Sequence, residues 1–285
     1  MRIQFAAYIC LLMAALIRPA MAEESSAVVS AAAEDDRGFL VHTVKSPFQA
    51  GNTQIRVLLP EQLKSDEKLP VVYVLPVEAA NENRYGDGLL EIKRNDLHNK
   101  HRTIFVAPTF SHLPWYADHP TDPEIRQESY LLDIVVPLID RTYPVVGTAK
   151  GRYLLGFSKS GWGAWALLLR HPEAFDKASA WDAPLTMERI GLYGNPAIFG
   201  TQANFDRHRI DSLLRDRADV LQGNPRLVLT GYGNFREHHQ RAHQLLLDLK
   251  IPHIYRDGPA RKHDWHSGWV ADAVELLLSQ SQTPK

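Results

Sequence analysis

The sequence is poor in several features that would place it in a class at once. Among 285 residues there is one cysteine, Cys10, so no intramolecular disulfide is possible and stability must come from a packed core. Neither sign of charge is in excess. Lys and Arg number 32 and Asp and Glu 33, a formal net charge of −1, which gives no basic field to hold nucleic acid or an anionic membrane. Long apolar runs are missing too: the one from Phe5 to Ile17 is shorter than the roughly 20 residues of a spanning helix, and Arg18 follows it. No internal repeat or second linker is evident. Metal-binding spacing is also lacking, because His239 and His243 enclose Gln240-Arg241-Ala242 without the glutamate of zinc peptidases. Gly231-Tyr232-Gly233 lacks the third glycine and the Lys-Ser/Thr pair of a phosphate cradle. We expect no metal and no cofactor.

What remains is an ordinary folding composition, 45% hydrophobic and 23% charged, with enough chain to bury a core. Met1 and Arg2, the apolar run, and the small-x-small sequence Ala20-Met21-Ala22 form a signal-peptide pattern. We therefore expect residues 1–22 to be removed on export, leaving a periplasmic or secreted chain without a stable membrane span. Residues 23–36 are small, polar and acidic and read as a flexible leader. Residues 37–285 read as one domain.

Within that domain, β-rich apolar runs occur at 38–44, 54–59, 71–75, 103–107, 153–157, 178–181, 227–230 and 251–255. Helical stripes lie between them: Leu131, Ile134, Val135 and Leu138; Ala164, Leu167 and Leu168; Ala242, Leu245, Leu246 and Leu249. Pro137 should kink or bound the first of these. The alternation predicts an α/β fold with a mostly parallel eight-stranded sheet, an antiparallel start and helices on both faces.

The stretch Tyr153 to Gly163 runs from a buried strand through small residues around Ser158 directly into a helix. Small residues two before and two after a serine allow a sharp turn that exposes the hydroxyl, and the helix N-terminus favours negative charge developing there. Gly156 and Ser160 fill those positions, giving G-x-S-x-S followed by Gly161 where the usual motif is G-x-S-x-G. The same pattern also suits a tight turn with an inert serine. A base for an active serine is available late in the chain, where Lys262-His263-Asp264-Trp265-His266 precedes the last helix.

These pieces resemble the esterase D and antigen 85-like putative esterase family of α/β-hydrolases. The resemblance runs from about Asn52 to Leu278 and rests on Val71-Val72-Tyr73-Val74-Leu75, Gly156-Phe157-Ser158-Lys159-Ser160-Gly161, Arg170-His171-Pro172, and His263-Asp264-Trp265 with Trp269. It implies the α/β-hydrolase fold, Ser158 as nucleophile and His263 as general base; His266 is the rival base. The family usually carries its acid after the seventh strand, where this chain has Asn234. Asp182, just past the sixth strand, is the favoured acid, ahead of Glu237. The oxyanion donors would be the backbone N–H groups of Lys159 and Glu78, although Pro76-Val77 stands where the family has a His-Gly or Asp-Gly pair. Trp115 and Tyr116, in an aromatic loop after the fourth strand, are candidate substrate walls; the Arg- and Asp-rich insertion 187–222 reads as a lid, or its charges as a solvated helix face.

The expected function is an exported serine hydrolase that cleaves a small-molecule carboxylic ester through an acyl-enzyme on Ser158. The competing readings are a catalytically weakened ligand-binding relative and an acyltransferase.

Overall fold

The computed structural model describes residues 27–279; the expected signal segment, Cys10 included, lies outside them. Ten strands are formed among the described residues: β1 Val28–Val29, β2 Ala33–Glu34, β3 Leu40–Lys45, β4 Asn52–Leu58, β5 Val71–Val74, β6 Ile104–Pro108, β7 Arg152–Phe157, β8 Lys177–Trp181, β9 Leu227–Tyr232 and β10 His253–Ala260. The helices are α1 Gly88–Arg94, α2 Leu97–Lys100, α3 Gln127–Ser129, α4 Val136–Thr142, α5 Ser158–Arg170, α6 Pro196–Phe199, α7 Gln202–Asp206, α8 Ile210–Asp216, α9 Arg236–Asp248 and α10 Val270–Leu278. None of them is long and apolar enough to cross a membrane.

The eight expected strands are β3 to β10. The two further strands correct the reading of residues 23–36 as wholly flexible: Val28 and Val29 pair with Lys45 and Val44, and Ala33 and Glu34 with Val41 and Leu40. Composition did not signal them because such short strands add backbone pairing to an edge while leaving their side chains largely exposed.

The sheet order is β1-β3-β4-β6-β5-β7-β8-β9-β10, with β2 also on β3. Pairing is antiparallel from β1 to β6 and parallel from β6 to β10. Central strands such as β5, β6 and β8 are buried along their whole length, as expected where helices cover both faces. Alternation along β5 divides two cores: Val71 and Tyr73 join Trp162, Trp165 and Leu168 of α5 on one face, and Val72 and Val74 join Leu89 of α1 and Val270 of α10 on the other.

Pro137 acts as expected. A π-helical stretch, Tyr130–Val135, leads into α4, and the Val136 N–H bonds to the Leu131 carbonyl just before the proline, which has no N–H to continue the ladder. In the segment 187–222 the charges do lie on a solvated face, with Arg207, Arg215, Asp216 and Arg217 exposed, while Ile198, Phe199, Phe205, Ile210 and Leu214 are buried and the Phe205 ring stacks on Trp162 at 6.2 Å. Its charges sit outside a stripe of apolar residues that the count of Arg and Asp concealed.

Topology sets the site. The chain passes from β5 to β6 on one side, then returns so that β7 lies on β5's other side. The connections leaving β5 and β7 therefore diverge, opening a crevice at the carboxyl edge of the sheet.

Candidate active site

Ser158 sits at the exit of β7, as the first residue of α5, with φ +52°. A non-glycine residue in this left-handed region costs roughly 1–3 kcal/mol and persists only where its surroundings enforce it. Gly156 and Ser160 do the enforcing. A Cβ on Gly156 would stand 2.2 Å from the Ser160 carbonyl oxygen, so only glycine permits the turn. The Ser160 hydroxyl accepts the Phe157 N–H at 3.0 Å and donates to the Phe157 carbonyl at 2.9 Å. The residue that departs from the usual motif thus ties the turn together, and its hydroxyl is consumed by doing so.

Parallel pairing brings the other candidates to the same edge. Val74 is in register with Leu155, and the Leu75 N–H donates to the Leu155 carbonyl at 2.9 Å, so the 76–78 loop leaves the sheet beside Ser158. The N–H groups at the start of α5, including that of Lys159, have no intrahelical acceptors. The loop is held from three directions: the Tyr116 hydroxyl donates to the Pro76 carbonyl at 2.5 Å, the Ala80 N–H to the Phe110 carbonyl at 2.7 Å, and the Tyr85 N–H to Glu78 Oε2 at 3.1 Å. Lys159 shares with Glu78, Arg84 and Leu113 an open cleft of about 490 Å³. Burial lowers the Lys159 pKa, and the Glu78 charge partly restores it.

On the other flank, β8 and β9 are in register at Trp181 and Thr230, and β9 and β10 at Tyr232 and Ala260. Asp182, residues 233–235 and His263 therefore emerge together. His263 Nδ1 lies 2.5 Å from Asp182 Oδ2. Asp182 is fully buried with φ +42°, and it accepts the Asn234 N–H at 2.8 Å on each oxygen and the Phe235 N–H at 2.7 Å. Gly233 permits this approach, because a Cβ there would be 2.6 Å from Asp182 Oδ2. Burial opposes ionisation, but the His263 hydrogen bond and the N–H groups of Gly233, Phe235 and Asn234 outweigh it and hold the carboxyl below the usual range. Of the two candidate acids, Asp182 and Glu237, only Asp182 meets the histidine. Asn234 contributes its backbone, and Glu237 is 82% exposed and paired with Arg241.

His263 is enclosed by Phe157, Tyr85 and Phe235, with ring centroids at 5.0, 5.5 and 5.7 Å. Its contact with the residue preceding Ser158 puts the imidazole beside the turn, although no hydrogen bond between Ser158 and His263 is formed. With Nδ1 engaged by Asp182, Nε2 is the nitrogen left for the serine. Hydrogen bonds of this kind often close only around a substrate. His266 is turned elsewhere, its Nδ1 2.7 Å from Glu91 Oε2 and its Nε2 accepting the Asp87 N–H at 3.2 Å.

The expectation that Trp115 and Tyr116 wall the substrate is corrected. Trp115 is fully buried against Trp162 and Phe199, and Tyr116 is buried against Phe110. Both are spent on packing, with Tyr116 also bracing the 76–78 loop. Of the rings around His263, Phe235 also meets Tyr193, half exposed, at 5.7 Å, and these two line an open cleft of about 660 Å³ next to the site. Tyr193 lies in a segment whose charge masked it, and Phe235 in a turn with no aromatic pattern. Among the described residues no three His, Cys, Asp or Glu side chains converge to hold a metal. A narrower cavity of about 280 Å³ lies against the 76–88 loop, lined by Arg37, Arg56 and Asp87 among others, and includes neither Ser158 nor His263.

Comparison with known proteins bears on the family and the fold. The family model described as putative esterase matches residues 48–220, a span that includes Ser158 and Asp182 and stops short of His263. Esterase Rv1288 of Mycobacterium tuberculosis is 24% identical over 246 residues, covering 73% of this chain and 52% of that protein. The chain thus spans about half the length of the curated relatives it matches. Among solved structures, the fold is similar to FphF, a fluorophosphonate-binding serine hydrolase of Staphylococcus aureus (TM-score 0.69, 17% identity, 88% of this chain and 100% of that one). It is also similar to an S-formylglutathione hydrolase of Agrobacterium tumefaciens (TM-score 0.69, 15% identity, 89% and 99%) and to a ferulic acid esterase (TM-score 0.64, 19% identity, 89% and 96%). Matched by the family model over more than half its length and folded as an α/β-hydrolase, the chain belongs to the putative esterase family.

Proposed function

We propose that this protein is a serine hydrolase that cleaves a small-molecule carboxylic ester. Ser158 Oγ attacks the carbonyl carbon as His263 Nε2 takes the hydroxyl proton, and the N–H groups of Lys159 and Glu78 hold the resulting oxyanion. Collapse expels the alcohol, which receives the proton from His263 and leaves an acyl-Ser158. Water, deprotonated by the same imidazole, then releases the acid and restores the serine. Asp182 keeps the proton of the resting imidazole on Nδ1 and stabilises the imidazolium formed in each half-reaction.

The observation that carries this reading is the 2.5 Å contact between His263 Nδ1 and Asp182 Oδ2 beside a serine held at φ +52°. The named activities of the structural neighbours, on ferulic acid esters and S-formylglutathione, have acyl transfer to water in common. Phe235, which touches His263 and carries the half-exposed Tyr193 ring on to the neighbouring cleft, favours substrates with a flat apolar group. Export to the periplasm or medium is part of the proposal and rests on the Met1–Ala22 pattern; N-terminal sequencing of protein from cell fractions tests it.

A ligand-binding relative without turnover is favoured by Pro76 and by Val77, which is buried and lacks the freedom of the family's glycine. The intact mass after treatment with a fluorophosphonate decides between the two. One adduct on the wild type, absent from Ser158→Ala and strongly slowed in His263→Ala, supports the hydrolase; a folded wild type that stays unlabelled overturns it. Product analysis with added alcohol separates hydrolysis from acyl transfer.

A further inference from the structure

Asp182 has to leave β8, turn into the left-handed region and still present its carboxylate to His263. The hydrogen bonds from residues 234 and 235 fix the carboxylate itself. A separate contact fixes the backbone: the N–H of Ala183, the next residue, lies beyond the last ladder pair of β8 and donates to His239 Nε2 at 2.8 Å. His239 is in the first turn of α9 and is only 1% exposed. Because Nε2 accepts, its proton resides on Nδ1.

The groups facing His239 come from several elements. Asp182 at the end of β8 and Asp257 on β10 favour its protonation, the Gly231 backbone on β9 does the same, and His238 on its own helix opposes it. Burial dominates and lowers its pKa to about 4. The acceptor lone pair is therefore free throughout the range in which a catalytic histidine works. His238 grips the same segment a little further on, its Nδ1 2.8 Å from Thr186 Oγ1 and accepting the Thr186 N–H at 3.2 Å. The loop before α9 thus holds the carboxylate while the first turn of α9 holds the main chain behind it.

We propose that His239 is a positioning residue of the reaction: by accepting the Ala183 N–H it keeps Asp182 in the backbone conformation that aims its carboxylate at His263 Nδ1. The proposal rests on the reading of Asp182 as the acid of the site.

The test compares wild type, His239→Leu, His239→Gln, His239→Asn, Asp182→Asn and the double variant Asp182→Asn/His239→Leu. Hydrolysis of p-nitrophenyl acetate is followed at pH 8 over a range of substrate concentration, with thermal unfolding in parallel. Gln places an acceptor near the position of Nε2; Leu has none, and Asn falls short. Expected for His239→Leu is a kcat lowered at least about tenfold at pH 8 with KM within about threefold. His239→Gln should recover kcat to within about threefold, and in the Asp182→Asn background His239→Leu should cost little more.

A folded His239→Leu with wild-type kcat, or one whose loss is as large in the Asp182→Asn background, overturns the proposal. If that variant does not fold, the Gln and Asn variants decide: equal kcat in the two overturns it, and recovery by Gln alone sustains it. Asp182→Asn with wild-type activity would instead overturn the acid assignment itself, whatever the His239 variants do.

Discussion

Asn234 donates one backbone N–H to both carboxylate oxygens of Asp182, at 2.8 Å each. The position at which the family resemblance leads one to look for an acid therefore supports an acid on the neighbouring strand exit. The two positions are interchangeable because β8 and β9 are adjacent, parallel and in register at Trp181 and Thr230, so residues just past either strand reach the same histidine. It follows that the Asn234 side chain is dispensable and the Asp182 side chain is not. Asn234→Ala should keep kcat within about threefold, whereas Asp182→Asn should lower it by about 10³ to 10⁴ through loss of the correct tautomer and of imidazolium stabilisation. Steady-state hydrolysis of p-nitrophenyl acetate by the two purified variants measures the contrast. A large loss in Asn234→Ala with a small one in Asp182→Asn would reverse the assignment.

Ser160 and Ser158 are two residues apart with separate work. Removing the Ser160 hydroxyl leaves the buried Phe157 N–H without its acceptor, a change worth about 1–3 kcal/mol. Ser160→Ala should therefore unfold at a lower denaturant concentration yet still take up a single fluorophosphonate adduct, more slowly than wild type. Denaturant titration and intact mass check the two halves.

Burial of neutral His239 has a consequence for stability against pH. The unfolded chain binds a proton on this residue below its ordinary value of 6.5, whereas the folded protein does so only below about 4. Between those values the unfolded state holds more protons, so folding stability falls as pH drops, by up to about 3 kcal/mol from this group. Above the window the contribution is constant. The depressed carboxyl of Asp182 adds its own loss lower down, because its stabilisation is present above the unfolded carboxylate value and disappears as pH falls through the folded one. Urea midpoints at pH 7 and pH 5 should differ more in wild type than in His239→Gln, which has no titratable group at that position. Equal pH slopes in both proteins would contradict the account.

The corrected substrate walls give a paired prediction. Tyr193→Ala removes a half-exposed ring beside Phe235 and should raise KM for an aryl ester several-fold with little change in unfolding temperature. Trp115→Ala empties a fully buried site next to Trp162 and should cost about 3–5 kcal/mol of stability. Kinetics and thermal unfolding on both variants separate a wall from a core residue.

Much of the site was legible in the chain. Gly156, Ser158 and the late His263 follow from a strand that turns sharply into a helix and from their order along the sequence, and Asp182 is marked as a candidate by its place just past a buried strand. Those features are local, and local sterics decide them. The Pro137 boundary belongs in the same group, since a missing N–H interrupts a helix wherever it falls. Trp115, Tyr116, Tyr193 and Phe235 were not legible in this way. An aromatic residue in a loop carries no mark of whether it will face a cleft or fill a core, because that depends on segments far off in sequence: Trp115 is covered by Trp162 and Phe199.

The sequence by itself determined the strand and helix alternation, the elbow around Ser158 and the set of residues able to take part in acyl transfer, because periodicity, glycine placement and proton chemistry are properties of neighbours along the chain. Tertiary structure alone decided which carboxylate meets His263, which histidine is turned away to the start of α1, and which aromatics border the cleft. Those outcomes depend on strand register and on contacts between residues such as Asp182 and His263, 81 positions apart, whose distance is fixed only when the sheet closes.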